Sequence, residues 1–160
     1  MNPGKNETDH PGVYVPPPFI YLSFYLLSVL LQEILPVEKR FLRNPAMQIT
    51  GWILMVIGFS LIIPAVKKFF TSGTSLLTVK PATALQTTGI YRCTRNPIYL
   101  GMLLLYGGAG FFIGNWWTYI LVPAVIYTMQ SYVIKREERY LRRAFGNDYL
   151  QYCESVRRWI

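Results

Sequence analysis

The sequence predicts an all-α integral membrane protein with about four transmembrane helices and a cytoplasmic carboxyl-terminal helical segment that closes a pocket. Three observations carry that prediction. At 160 residues, 52% hydrophobic and 16% aromatic with only 15% charged, the chain is too apolar for a soluble domain of ordinary composition. Its apolar residues lie in long runs, 19–35, 46–66 and 97–134, the last divided at Gly114-Asn115. Its basic residues favour one side of those runs. With the amino-terminal tail in the cytoplasm, the tail, residues 67–96 and the carboxyl-terminal segment hold thirteen Lys and Arg, and the opposite side holds only Lys39, Arg40 and Arg43. The positive-inside rule then places both termini in the cytoplasm. The net charge of +8 belongs to this topology, since no soluble module remains that would bind nucleic acid.

Residues 1–18 read as a flexible, polar, proline-rich tail, with Pro16-Pro17-Pro18 as a stiff lead into the first helix. The first apolar run ends in Leu35-Pro36 without a small-residue cleavage pattern, so a cleaved signal peptide is not expected. Residues 19–160 form one domain with spans at about 19–35, 46–66, 97–113 and 116–134. The 21 residues of the second run reach about 31 Å at about 1.5 Å each, close to the roughly 30 Å of bilayer hydrocarbon. Glu33, near the end of the first span, suits snorkelling or capping. Pro64 with Lys67-Lys68 reads as a helix leaving the bilayer. Residues 69–90 lose helical period and read as an interfacial connection, longer than an idle loop requires. In the third span Gly107, Gly108, Gly110 and Gly114 suit close helix packing. Gly101 lies one turn beyond Pro97, where a bare backbone would admit a ligand. Trp116-Trp117 form an aromatic belt. Cys93 and Cys153 share the reducing side and are expected as free thiols. The single His, His10, leaves no ligand set for a metal.

Chemistry concentrates in two stretches. In YRCTRNPIYLG, residues 91–101, Asn96-Pro97 has the grammar of a helix start, Asn as N-cap and Pro at the first helical position. Free N–H groups and the positive end of the helix dipole would then lie beside Arg92 and Arg95, a place for a carboxylate or phosphate; the competing reading is a plain cap beside headgroup-binding arginines. In IKREERYLRRAFGNDYLQY, residues 134–152, a period of 100° per residue aligns Ile134, Leu141, Phe145 and Tyr152, with Glu137 and Glu138 on either flank. Glu138 can pair with Arg142 four residues on. Glu137 has no local cation, and is either an acceptor for sugar hydroxyls or half of a longer-range ion pair. An anion site and an acidic acceptor on one membrane face suit a zwitterionic nucleoside.

The order TTGIYRCTRNPIYLG, then EE, then FGNDYLQYCESVRRW resembles the isoprenylcysteine carboxyl methyltransferase family, within a wider group that includes the phospholipid N-methyltransferases. The resemblance covers roughly residues 80–160. It implies a membrane methyltransferase that binds S-adenosyl-L-methionine without a Rossmann domain, in a cytoplasmic pocket built from about 80–101 and 134–160. The absence of a glycine-rich strand-turn-helix motif agrees with that. Carried over by position, the cofactor contacts come from Thr83, Ala84, Leu85, Gln86, Tyr91, Asn96, Pro97, Ile98, Tyr99, Gly101, Glu137 and Glu138. Arg95 and Asn96 would position the reactants. Two departures stand out. Asn96 occupies a place where eukaryotic members carry His, which removes a titrating mechanism. Val133 occupies the place of a substrate-binding Arg, for which Arg136 is the candidate substitute.

Methyl transfer from a sulfonium is an in-line displacement whose leaving group needs no acid, so positioning and desolvation can supply most of the rate. The expected acceptor is a lipophilic carboxylate, thiol or amine, isoprenylcysteine-like in one version, arriving from the bilayer among membrane lipids. Two rivals stand beside this reading: an NADPH-dependent membrane reductase related to sterol reductases, and a small membrane protein without chemistry.

Overall fold

The computed structural model describes residues 11–71 and 84–160. Among them every regular element is helical. Helix α1, Pro17–Ile34, opens on the proline run and buries one stripe, including Ile20, Tyr21, Ser28 and Gln32. The opposite stripe, with Phe19, Leu22, Leu26 and Leu30, is exposed, as suits a helix facing lipid. Helix α2, Pro45–Thr71, is capped by Asn44, whose Oδ1 accepts the Met47 N–H at 3.1 Å. These two helices are long and apolar enough to cross a membrane. Helix α3, Pro97–Ile113, has 17 residues and is apolar but shorter.

The tightest seam is α2 against α3. On α2, Gly51, Gly58 and Ala65 recur every seven residues and are buried; Gly101 and Gly108 answer from α3. A Cβ placed on Gly58 would lie 2.9 Å from the Gly101 carbonyl oxygen, and one on Gly101 would lie 2.7 Å from the Gly58 carbonyl oxygen. Gly51 and Gly108 face each other in the same reciprocal way, at 3.2 and 3.0 Å. Backbones this close exclude any side chain. The expectation that Gly101 bares backbone to a ligand is therefore corrected: its open side is filled by Gly58 and Ile62 of α2. Of the glycines expected to pack, Gly107 has only Leu54 near, at 3.8 Å, whereas Gly110 abuts Thr118.

Gly114 ends α3 in the left-handed conformation, φ 65°, and Asn115 caps the next helix by accepting the Trp117 N–H at 2.9 Å. The stretch expected as one span at 116–134 is broken into α4, Trp116–Ile120, α5, Val122–Thr128, and a π-helix, Met129–Ile134. It runs on into α6, Lys135–Ser155, which Gly146 kinks at φ 53°, ψ −124°. The projected stripe holds: Ile134 and Tyr152 are buried, and Leu141 and Phe145 are half-buried against the core. Tyr140 and Tyr149 are buried in addition, where the projection did not place them.

Part of the stretch expected as a tail packs on the bundle. Residues 11–16 have no regular structure, yet Val13 is completely buried. It joins a cluster with Ile20, Tyr21, Tyr106, Val125, Met129 and Val133. A second cluster, Ala65, Tyr91, Tyr149, Tyr152 and Val156, ties the end of α2 to the carboxyl-terminal segment.

Candidate active site

The site is built where the first turn of α3 meets the start of α6. Tyr99 projects from α3 and donates its hydroxyl to Glu137 Oε1 at 2.5 Å. Its own carbonyl accepts the Tyr21 hydroxyl at 2.9 Å, so α1 holds the position from behind. The second oxygen of Glu137 has no hydrogen-bond partner among the described residues. The surroundings push the Glu137 carboxyl up to about 7, chiefly through loss of solvation and further through the nearby Glu138, against the Tyr99 hydrogen bond that lowers it. Glu137 is thus a carboxylate with one oxygen anchored and one available. Among the described residues no cation forms a salt bridge with it.

Glu138 does something else. It takes Arg158 in a forked pair, Arg158 Nε to Oε1 at 2.8 Å and Nη2 to Oε2 at 2.7 Å, with Arg95 3.5 Å away. The expected pairing with Arg142 is replaced by this link across the fold. Arg95 also donates through Nη1 to Cys153 Sγ. Of the two arginines of the expected anion site, Arg95 engages Glu138 and Cys153 while its Nε stays buried without a hydrogen-bond partner among the described residues. Arg92 lines an open groove of about 470 Å³ with Thr87, Asp148, Gln151, Tyr152, Ser155 and Val156.

Asn96 occupies the N-cap position, and its carbonyl accepts the Leu100 N–H at 3.0 Å, but its side chain makes no cap bond. Its Nδ2 instead donates to the Arg158 carbonyl at 2.9 Å. The same carbonyl takes the Thr94 hydroxyl at 3.2 Å, and the Arg95 N–H donates to the Arg157 carbonyl at 3.0 Å. The segment after α6 is therefore laced onto the turn before α3. Tyr152 secures the lacing by donating its hydroxyl to the Tyr91 carbonyl at 2.6 Å. Loss of solvation pushes its phenol up to about 12, which keeps the donor protonated at any physiological pH.

Of the residues singled out from sequence, Tyr91, Asn96, Pro97, Ile98, Tyr99, Glu137 and Glu138 come together here. Tyr91 and Pro97 are buried, and Leu85 and Ile98 pack on the second cluster. Gln86 is half-buried and Ala84 is exposed at the edge of the described residues, whereas Thr83 lies outside them. Arg136 points elsewhere: Nη1 donates to the Gly12 carbonyl at 2.8 Å and the guanidinium stacks over Tyr132. Sequence reasoning missed Tyr21, Thr94 and Arg158, and read Tyr152 only as part of the apolar stripe; their bonds to Tyr99, Asn96 and Tyr91 and the Thr94–Arg158 bond join residues 61 to 78 positions apart, whereas Arg158 reaches Glu138 across 20.

Comparison with known proteins places these residues in context. The phospholipid methyltransferase family profile matches residues 46–148. The protein-S-isoprenylcysteine O-methyltransferase of Schizosaccharomyces pombe is 36% identical over 72 residues, 45% of this chain and 30% of that protein. Protein-S-isoprenylcysteine O-methyltransferase A of Arabidopsis thaliana is 35% identical over 72 residues, 45% of this chain and 36% of that protein. An uncharacterized protein of Haemophilus influenzae is 35% identical over 63 residues, 39% of this chain and all of that protein. The chain thus spans about a third of the length of the curated methyltransferases it matches. No solved structure matches it.

Proposed function

Because the chain belongs to the phospholipid methyltransferase family, we propose that it is an integral membrane, S-adenosyl-L-methionine-dependent methyltransferase whose acceptor is lipophilic. The observation that carries the reading is the Tyr99–Glu137 pair. A carboxylate with one oxygen fixed by a phenol and the other available fits a ribose diol, which brings two donors to one acceptor group. The bound cofactor supplies an electrophilic methyl on a sulfonium. Around it, this chain's residues bind and orient. Glu137 accepts the sugar hydroxyls, Tyr91 and Tyr99 offer aromatic faces to a cation, and Asn96 with the laced segment 156–158 roofs the pocket. Arg95 acts as a positioning residue through Glu138 and Cys153. The likeness to protein-S-isoprenylcysteine O-methyltransferases favours a lipidated thioether acid as acceptor, and Val133 leaves lipophilic thiols and amines in the panel to be tested.

In the same proposal the bundle crosses the membrane four times, α1, α2, α3 and the α4–α5–π stretch, with both ends and the roof in the cytoplasm. Residues 19–160 act as one domain, and 80–101 with 134–160 form the cofactor-binding region.

The test has two arms. S-adenosylhomocysteine should raise the melting temperature of the detergent-solubilised protein, and NADPH should not, because a ligand that binds only the folded state stabilises it. Labelled methyl transfer from S-adenosyl-L-methionine should then mark a product in a panel of lipophilic acids, thiols and amines. Stabilisation by NADPH alone would return the reading to a reductase.

A further inference from the structure

Resting on the methyltransferase reading, we propose that residues 11–16 form a strap that shuts the acceptor's mouth, with Val13 as its stopper. The segment is irregular and its outward residues are open to solvent: Tyr14 is 71% and Val15 45% exposed, while Val13 is 0% exposed. Val13 is the one fully buried side chain of residues 11–16, between half-buried Pro11 and Gly12 and the exposed residues 14–16, and acts as a plug. Val13 fills the junction of α1, α3 and the π-helix, in one cluster with Tyr21, Tyr106, Met129 and Val133, and with Tyr99 packed against it. Tyr99 is the residue that holds Glu137, and Val133 lies one helical turn before it. Tyr99, packed on the cluster that Val13 joins, thus links the stopper to the proposed cofactor acid.

Two of the bonds that hold the strap come from the stretch just before Glu137. The Val15 N–H donates to the Tyr132 hydroxyl at 3.2 Å, and Arg136 Nη1 donates to the Gly12 carbonyl at 2.8 Å. The Arg136 guanidinium lies 4.5 Å from the centre of the Tyr132 ring, so the two anchors brace each other. Both belong to the turn that leads into Glu137. A π-helix in this place is a frequent mark of a functional site, because it re-aims side chains without ending the helix. A second observation points to a ligand. The Tyr106 hydroxyl, on a residue 4% exposed, is buried in the same cluster and has no hydrogen-bond partner. An orphaned buried hydroxyl is costly, and a polar atom of the molecule that displaces Val13 would satisfy it. Tyr99 and Tyr106 are seven residues apart and share one face of α3. The displacing molecule is thus an amphiphile, lying along that face with its head toward Glu137 and a polar atom about two turns deeper.

The experiment uses the full chain in lipid nanodiscs. Val13→Cys, made on a Cys93→Ser background, is modified with a water-soluble maleimide, and Tyr14→Cys on the same background marks the rate of an exposed neighbour. Val13→Cys should react at least tenfold more slowly than Tyr14→Cys. Adding Tyr132→Phe, which removes one anchor and keeps the ring, should speed its reaction at least fivefold and leave S-adenosylhomocysteine affinity unchanged. A farnesylated cysteine, a long-chain thiol and a long-chain amine are then added in turn. Whichever is methylated should speed the modification, and Tyr132→Phe should lower its KM without changing kcat. Equal rates for Val13→Cys and Tyr14→Cys overturn the strap, as does methyl transfer with no change in modification rate. Methyl transfer to none of the three overturns the functional reading, and the strap's purpose with it.

Discussion

At the scale of single residues, Glu137 carries the sharpest consequence. Its carboxyl is raised from an ordinary 4.5 to about 7, so the free protein holds a proton there that the unfolded chain releases. Between those two values the folded state binds more protons than the unfolded one, and stability falls as pH rises. This contribution is complete below about 4.5 and is lost as pH passes through about 7. Cofactor binding runs the other way, because sugar hydroxyls need the deprotonated carboxylate as acceptor. Affinity for S-adenosylhomocysteine should rise about tenfold per pH unit on the acid side and level off above about 7. In Glu137→Gln the pH dependence should vanish, and affinity at pH 8 should fall by roughly ten- to a hundredfold, the range of a hydrogen bond to a charged group. Isothermal titration at several pH values measures both. Unchanged affinity in a folded Glu137→Gln protein would remove this residue from the site. Asn96 makes a second point at the same scale. Of the three Asn-Pro steps in the sequence, those at 44–45 and 96–97 open helices, yet of these two only Asn44 caps with its side chain. Asn96 is drawn away by the Arg158 carbonyl, a competition that local sequence does not display.

At the scale of elements, legibility followed distance along the chain. The bounds of α3 at 97 and 113 and the turn at Gly114-Asn115 were readable, because Pro, Gly and Asn act on their own backbone. Tyr91, Tyr99 and Glu137 were readable through the resemblance. The α2–α3 seam was readable from one side only: the close packing expected of Gly108 holds, but its partners, the heptad of small residues Gly51, Gly58 and Ala65, mean little until the facing helix is known. The break of 116–134, where the π-helix shifts the phase inside an uninterrupted apolar run, was not readable. The seam carries its own prediction. Gly58→Ala and Gly101→Ala each drive a methyl to within 2.9 Å or less of a backbone oxygen that cannot rotate away, so each should cost about 1–3 kcal/mol, the range for overpacking. Gly107→Ala meets only Leu54 at 3.8 Å and should be neutral or stabilising by up to about 1 kcal/mol, since Ala loses less backbone entropy in a helix. Thermal unfolding in detergent separates the two classes. Equal effects at all three positions would mean that the seam is not the close contact.

At the scale of the whole molecule, every residue of the candidate site gathers at one end of the bundle. Residues 11–16, the turn before α3 and the segment from Lys135 to Ile160 meet there, joined to the far part of α2 through Ala65. The other end holds the α1–α2 connection and the α3–α4 turn, where Phe41 stacks on Trp116 and Arg43 lies against Gly114. The length of α2 follows from this division. Its 27 residues span about 40 Å at about 1.5 Å each, more than the hydrocarbon needs, and the excess beyond Pro64 serves as a wall for the tyrosine cluster. Eleven of the fourteen Lys and Arg among the described residues lie at the site's end, a bias that in the proposed topology turns this end toward the cytoplasm. That orientation is testable with one native and one introduced thiol. Cys93 is exposed at the site's end, and Arg40, exposed at the other, can be changed to Cys in a Cys93→Ser background. A membrane-impermeant maleimide should label Cys93 in inside-out vesicles but not in intact cells, and Arg40→Cys in intact cells but not in inside-out vesicles. Labelling of both from one side would mean that the two ends of this bundle do not lie across a membrane. The proposed S-adenosyl-L-methionine, charged and made in the cytoplasm, would need the first pattern, because it could not cross a bilayer to reach Glu137 from the other face.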